Sequence, residues 1–230
     1  MRKSKNPFHA LTRFELILWL FGTLVVTASF LMGNDKEPMS LVASLIGITA
    51  LIFVAKGMVS GQLLIVLFSV FYGFISFDKQ YYGEMITYLG MSAPIAVMSV
   101  VSWLRHPFES SGEVKVARLT RRACLLLGLS AAIVTVIFYF ILDALHNASL
   151  AVSTLSVTTS FLAASLTFLR SPYYALAYAA NDAVLISLWV SATVSDRASL
   201  PMVFCFLMFF INDIYGFISW RRMEKRQSGS

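Results

Sequence analysis

The hydrophobic positions of this chain fall in long blocks rather than in alternation. Eight apolar stretches cover about 14–32, 40–55, 62–77, 83–104, 123–142, 150–169, 173–194 and 200–219. Most approach the roughly 20 residues an α-helix needs to cross a hydrocarbon core of ~30 Å. The run from 40 to 77 is broken only by "KGMVSGQ", and Lys with Gly inside so long an apolar run predicts two helices and a tight turn. The period-two alternation of a membrane β-barrel is absent. The pattern predicts an all-α transmembrane protein of eight helices. Its longest exposed segment, "RHPFESSGEVKVARLTRR" (105–122), is too short to fold alone.

Composition strengthens this reading, with 58% hydrophobic and 13% charged residues and a mean hydropathy of +0.75. Charge adds an orientation. With eight spans, one side carries the N-terminal tail (Arg2, Lys3, Lys5, Arg13), the 105–122 loop (Arg105, Lys115, Arg118, Arg121, Arg122) and the C-terminal tail (Arg221, Arg222, Lys225, Arg226). Lys56 and Arg170 join them, leaving Lys36, Lys79 and Arg197 opposite. The positive-inside rule then predicts both termini in the cytoplasm, whereas seven or nine spans would split the basic tails. The net charge of +6 reads as this topology signal and predicts no nucleic-acid partner. The first span is read as a retained helix, not a signal peptide.

Several function classes fall away. Cys124 and Cys205 sit in apolar spans without ligand spacing, and His9, His106 and His146 lie in tails or near span ends. No HExxH, GxSxG or phosphate-loop pattern occurs, so no enzyme, metal site or cofactor is expected.

The spacing contains a repeat. Spans two to four and six to eight are similar in length, and each triplet ends in an aromatic-basic exit, "SWLRH" (102–106) and "SWRRM" (219–223). The span between them restores direction, so the triplets run parallel, in an order 1 + 3 + 1 + 3. The expected layout is one transporter domain, 1–230. It comprises an extra N-terminal helix (14–32), a first triplet (40–104), a cytoplasmic basic loop (105–122), a linker helix (123–142), a second triplet (150–220) and a cytoplasmic tail (221–230). Parallel repeats place a substrate site between the halves near mid-membrane. Trp103 and Trp220, at span ends, read as interfacial anchors. Pro94 should kink the fourth span. In "DKQYYGEM" (78–85), Gly83 permits a tight bend and Glu84 suits the first turn of the following helix.

The candidate chemistry lies in two polar pairs inside apolar spans, Asn181–Asp182 and Asn212–Asp213. An Asp at a helix centre costs about 2.5–3.5 kcal/mol on insertion scales, so neither should face lipid. Neighbouring residues differ by about 100° around a helix, so one member of each pair faces the cavity while the other can join a neighbouring helix. The pairs are either an interhelical hydrogen-bond network or a substrate site. Ser156, Thr159 and Ser160 similarly serve close packing or a polar path. Tyr72, Tyr174, Tyr178, Trp189 and Tyr215 add aromatic faces, the equipment a heteroaromatic ring with a ribose would need.

Over about residues 40–223, the segments "LIFVAKGMVSGQ" (51–62), "YYGEM" (81–85), "RSPYYALAYAAND" (170–182) and "INDIYGFISW" (211–220) resemble the PnuC-type vitamin transporters. The resemblance implies a SWEET-like 3 + 1 + 3 bundle with an additional N-terminal helix. It implies uptake of nicotinamide riboside, an NAD precursor, across a bacterial cytoplasmic (inner) membrane. Facilitated diffusion by alternating access, trapping by a cytosolic kinase and a homotrimer are further implications, as are carriers of deoxynucleosides or thiamine as relatives. The family's Trp-x-x-Trp-x-x-x-Asn stretch has Tyr174 and Ala177 at its Trp positions here and keeps Asn181, and the Asn near the end of the eighth helix corresponds to Asn212. The matching first-repeat positions, near Phe68, Ser69 and Val97, are apolar or small. Asp182 and Asp213 would complement a cationic pyridinium or thiazolium, or accept from a nucleobase amino group.

Overall fold

The computed structural model describes residues 7–32, 38–78, 82–109, 112–147, 149–195 and 200–229. The apolar blocks are helices: α1 (Arg13–Met32), α2 (Pro38–Ala55), α3 (Val59–Asp78), α4 (Tyr82–Ile86), α5 (Ala93–Arg105), α6 (Arg121–Ala144), α7 (Leu150–Phe168), α8 (Tyr174–Ser195) and α9 (Leu200–Ser228). Among the described residues, seven spans are long and apolar enough to cross a membrane, α4 and α5 together forming one of them. The 22-residue α8 is the helix whose apolar run is interrupted by Asn181–Asp182. Short connections make successive helices antiparallel. The start of α1 and the end of α9 therefore share one end of the bundle with the loop that follows α5.

Between α4 and α5 the chain forms a π-helical turn, Thr87–Ser92. Pro94, at the start of α5, has no N–H to give to the preceding turn, and the wider turn absorbs that loss. The expected disturbance at Pro94 is thus a widened turn just before it. Gly83 makes no tight bend. It lies within α4, where a Cβ would stand 2.6 Å from Leu142 Cδ2, so its role is close approach to α6.

The two triplets repeat in detail at the end that holds the loop following α5. Gly57 and Arg170 both take positive φ (66° and 59°) in the α2–α3 and α7–α8 turns. The Gly57 N–H donates to Val54 O (2.8 Å) as Arg170 N–H does to Thr167 O (3.0 Å). Met58 N–H donates to Phe53 O and Ser171 N–H to Leu166 O, both at 3.0 Å. The loop after α5 then ties both turns together, with Val114 N–H on Gly57 O (2.9 Å) and Ala117 N–H on Arg170 O (3.0 Å).

The tryptophans complete this exchange. Trp103 Nε1–H donates to Thr167 O (3.0 Å) in the second triplet, and Trp220 Nε1–H donates to Val54 O (2.8 Å) in the first. The rings lie 5.4 Å apart. Both are buried, so they are not interfacial anchors: their polar tips bond inside the protein and their rings fill the seam between the halves. The segment after Trp220 is helical and packs on the loop. α9 continues helical to Ser228, and Gln227 pairs with the 105–122 loop, accepting from Val116 N–H (2.8 Å) and donating to Val114 O (3.1 Å). That loop carries a two-stranded hairpin, β1 (Pro107–Phe108) and β2 (Glu113–Val114), and Glu113 pairs with Arg226.

Helix α1 opens with a capping box: Thr12 N–H to Glu15 Oε2 (2.6 Å) and Glu15 N–H to Thr12 Oγ1 (3.3 Å). Glu15 Oε1 accepts from Tyr215 of α9 (2.6 Å) and faces Lys56 Nζ at 3.4 Å. One buried carboxylate thus joins α1 to both triplets.

Candidate functional site

A cavity lies between the triplets, with about 810 Å³ of empty space counting its mouth. Its walls follow the repeat. Gly47, Leu51 and Val54 of α2 line it at the same spacing as Ser160, Ala164 and Thr167 of α7. Ile65, Phe68 and Ser69 of α3 do so at the spacing of Tyr178, Asn181 and Asp182 of α8. At these positions α2 and α3 are largely apolar and α7 and α8 largely polar, while Gln62, Ser92 and Ser99 add polar groups from the first half. Phe68 of α3 and Phe206 and Phe209 of α9 line the cavity together with the polar groups of α8 and α9. Gly47 leaves room for this: a Cβ there would stand 2.7 Å from Phe209 Cζ.

Five of the expected residues come together here: Tyr174, Tyr178, Asn181, Asp182 and Asp213. Asn181 Oδ1 receives the hydroxyls of Thr159 (2.9 Å), Ser160 (3.0 Å) and Ser156 (3.3 Å) from α7. The interhelical network is therefore real, and it fixes the amide in a wall of the cavity. The carboxyl groups of Asp182 and Asp213 lie within hydrogen-bonding reach of each other across the α8–α9 seam, both buried. Two adjacent carboxylates repel unless a proton or a cation sits with them. Among the described residues no Lys, Arg or His lines the cavity.

Four expected residues stand outside the lining. Asn212 is buried behind Asp213, its Nδ2 donating to Met208 O (2.9 Å) and its Oδ1 unbonded. Tyr215 points to Glu15 on the α1 side. Trp189 packs in the apolar cluster with Leu185 and Phe206. Tyr72 is one layer back, its ring stacked 5.6 Å from Phe68 and 4.4 Å from Tyr88. Position around a helix decides each case, and a helix apolar on all sides does not encode it. Of the matching first-repeat positions, Phe68 and Ser69 line the cavity and Val97 does not, while sequence reasoning missed Gln62, Tyr88 and Phe209 as lining residues. Gln62, a buried amide within an apolar span, carried the same signal as Asn181.

Residues 37–222 match the family described as nicotinamide mononucleotide transporter. The chain belongs to this family. Among its relatives is the nicotinamide riboside transporter PnuC of Neisseria mucosa, 29% identical over 98% of this chain and 88% of the relative. The nicotinamide riboside transporter PnuC of Haemophilus influenzae is 22% identical, over 91% of each chain. A crystal structure of the vitamin B3 transporter PnuC superposes with a TM-score of 0.81 at 27% identity, covering 94% of both chains. The PnuC-type helical bundle, a multi-pass membrane transporter rather than an enzyme, is thus the fold and class of this protein. α1 lies outside the segment matched by the family, while the Neisseria mucosa relative aligns with nearly the whole chain.

Proposed function

We propose that this protein takes up nicotinamide riboside through the central cavity. The observation that carries this is a cavity of mixed apolar and polar lining with two adjacent carboxyl groups and no lining base among the described residues. Nicotinamide riboside bears one positive charge on its pyridinium ring and no phosphate. The mononucleotide named in the family's description adds a phosphate, which such a cavity would repel and could not bond with a cation. The Asp182–Asp213 pair balances the pyridinium, the phenylalanine wall and Tyr174 flank the ring, and Asn181 with Ser160 and Gln62 meets the ribose hydroxyls. The expected contributions of Asn212, Tyr72, Trp189 and Tyr215 become supporting ones, because each packs behind or beside a lining group.

Transport is by facilitated diffusion with alternating access, the two triplets rocking about the site, and cytosolic phosphorylation traps the product. The basic end, with both termini, faces the cytoplasm of a bacterial inner membrane. Apolar side chains exposed along α6, Leu125, Leu129, Ile133 and Phe140 among them, meet lipid or the neighbours of a homotrimer.

The test is calorimetry on purified protein with nicotinamide riboside, the mononucleotide, thiamine and thymidine, followed by uptake into vesicles. The riboside should bind at micromolar or tighter affinity and the mononucleotide at least tenfold more weakly. Equal or tighter binding of the mononucleotide refutes the charge argument. Binding of thiamine or thymidine alone keeps the transporter and replaces its substrate.

A further inference from the structure

A second chamber, with about 400 Å³ of empty space counting its mouth, lies at the end of the bundle away from the loop that follows α5. Its polar lining includes Glu84, Thr87, Tyr88, Asn147, Ser156 and Ser160. Tyr88 and Ser160 line the central cavity too, so they form the partition between the two spaces. Ser156 also links them, because it lines the outer chamber while its hydroxyl reaches Asn181 Oδ1 in the inner wall.

Glu84 is the only charged side chain among the described lining residues of the outer chamber. Its Oε2 is enclosed and makes no hydrogen bond to the protein, while Tyr72 lies beside the carboxyl. A carboxyl placed in an apolar span with no basic group among the described lining residues is costly, and such groups mark substrate or ion paths. Tyr88 stands on the π-helical turn Thr87–Ser92, and π turns recur at functional sites because the extra residue re-aims a side chain. Its ring leans on Tyr72 (4.4 Å) and edge-on to Phe68 (6.0 Å), a wall of the central cavity. Carboxyl groups therefore stand in both chambers on either side of one aromatic partition.

We infer that the chamber at Glu84 is an outer subsite that receives a cationic heteroaromatic ligand before it passes Tyr88 into the central cavity. The inference rests on the proposed uptake of a pyridinium riboside and extends it to the entry route. Glu84 concentrates the cation at the entrance, and Tyr88 is the ring it must move past. Glu84 acts on capture, whereas Asp182 and Asp213 act on residence in the central site.

The test compares uptake of nicotinamide riboside with that of its uncharged dihydro form, in vesicles containing wild type, Glu84→Gln or Glu84→Asp. Calorimetric affinity is measured on the same proteins. Charge focusing changes capture rates by roughly 10- to 1,000-fold. Glu84→Gln should therefore lower kcat/KM for the cation at least about tenfold, leave the dihydro form within twofold, and leave equilibrium affinity within about threefold. Glu84→Asp, which keeps the charge, should recover most of the loss. Equal losses for charged and uncharged ligands, or no loss for either, overturn the subsite. The calorimetry separates that outcome from a variant that has not folded. If wild type carries thiamine instead, the substrate proposal fails alone, and the same comparison is made with that cation. Wild type carrying only uncharged nucleosides refutes both.

Discussion

Replacing Asp213 with Asn removes one of the two carboxyl groups that meet at the α8–α9 seam while keeping size and hydrogen-bonding capacity. Two unit charges 4 Å apart interact by about 4 kcal/mol at the effective dielectric of a protein site. A pyridinium held between the pair draws on both carboxyls, and Asp182 remains, so the variant should lose about 1.5–3 kcal/mol of cation affinity. That is roughly 10- to 100-fold in Kd. The uncharged dihydro riboside has no such term and should bind within about twofold of wild type. The unliganded protein should move the other way. Removing one of two adjacent buried carboxyls relieves their repulsion, so the variant should melt at a higher temperature than wild type. The assay is calorimetry with both ligands, with thermal unfolding in the same detergent. Equal losses for the charged and uncharged ligands would show that Asp213 serves shape or hydrogen bonding, and the charge reasoning would be wrong. A lower melting temperature would show that the pair is structural.

The other expectations concern the walls of the cavity and its pH response. Asn181→Ala removes the acceptor of three α7 hydroxyls, and membrane interhelical bonds average about 0.6 kcal/mol each, so a loss of roughly 2 kcal/mol is expected in unfolding. Riboside binding should fall with it, and binding retained at a temperature well below the melt would leave only the network. Gly61→Ala should fail to give a monodisperse protein on size exclusion, because the new Cβ would stand 2.5 Å from Val54 N and 2.8 Å from Phe53 C, backbone that cannot yield. Gly47→Ala meets the Phe209 ring instead, so it should fold but bind the riboside at least about tenfold more weakly, read by calorimetry. Because a proton and a pyridinium compete for the same carboxyl pair, cation affinity should fall as pH falls, with proton release on binding. The facing groups are Tyr88, Tyr174, Tyr178 and Cys205, none of them basic. Affinity of the riboside that stays flat with pH, in buffers of different ionisation enthalpy, would exclude that competition.

The apolar spans were legible from the chain because the bilayer asks one question of each stretch, whether it is apolar for long enough, whereas the extension of α9 to Ser228 and the π turn before α5 were not. Asn181, Asp182 and Asp213 were legible for the related reason that a polar group is expensive where water is absent. Tyr72, Trp189 and Tyr215 could not be sorted this way. An aromatic ring is acceptable to lipid, to core and to ligand alike, so only the packing of α3, α8 and α9 assigned them to the layer behind the cavity, to the core and to the α1 junction. Trp103 and Trp220 were misread for the same cause: a Trp at a span end suits an interface, and nothing local shows that a carbonyl of the opposite triplet waits for its N–H. Glu84 was legible as a helix-start residue. Its enclosed oxygen and the chamber around it depend on α6, α7 and α8, which arrive much later in the chain. The one-dimensional pattern of polarity thus determined what enters the membrane and which residues resist it. Which of them face each other was decided by the packing of two repeats whose equivalent positions have become chemically unlike.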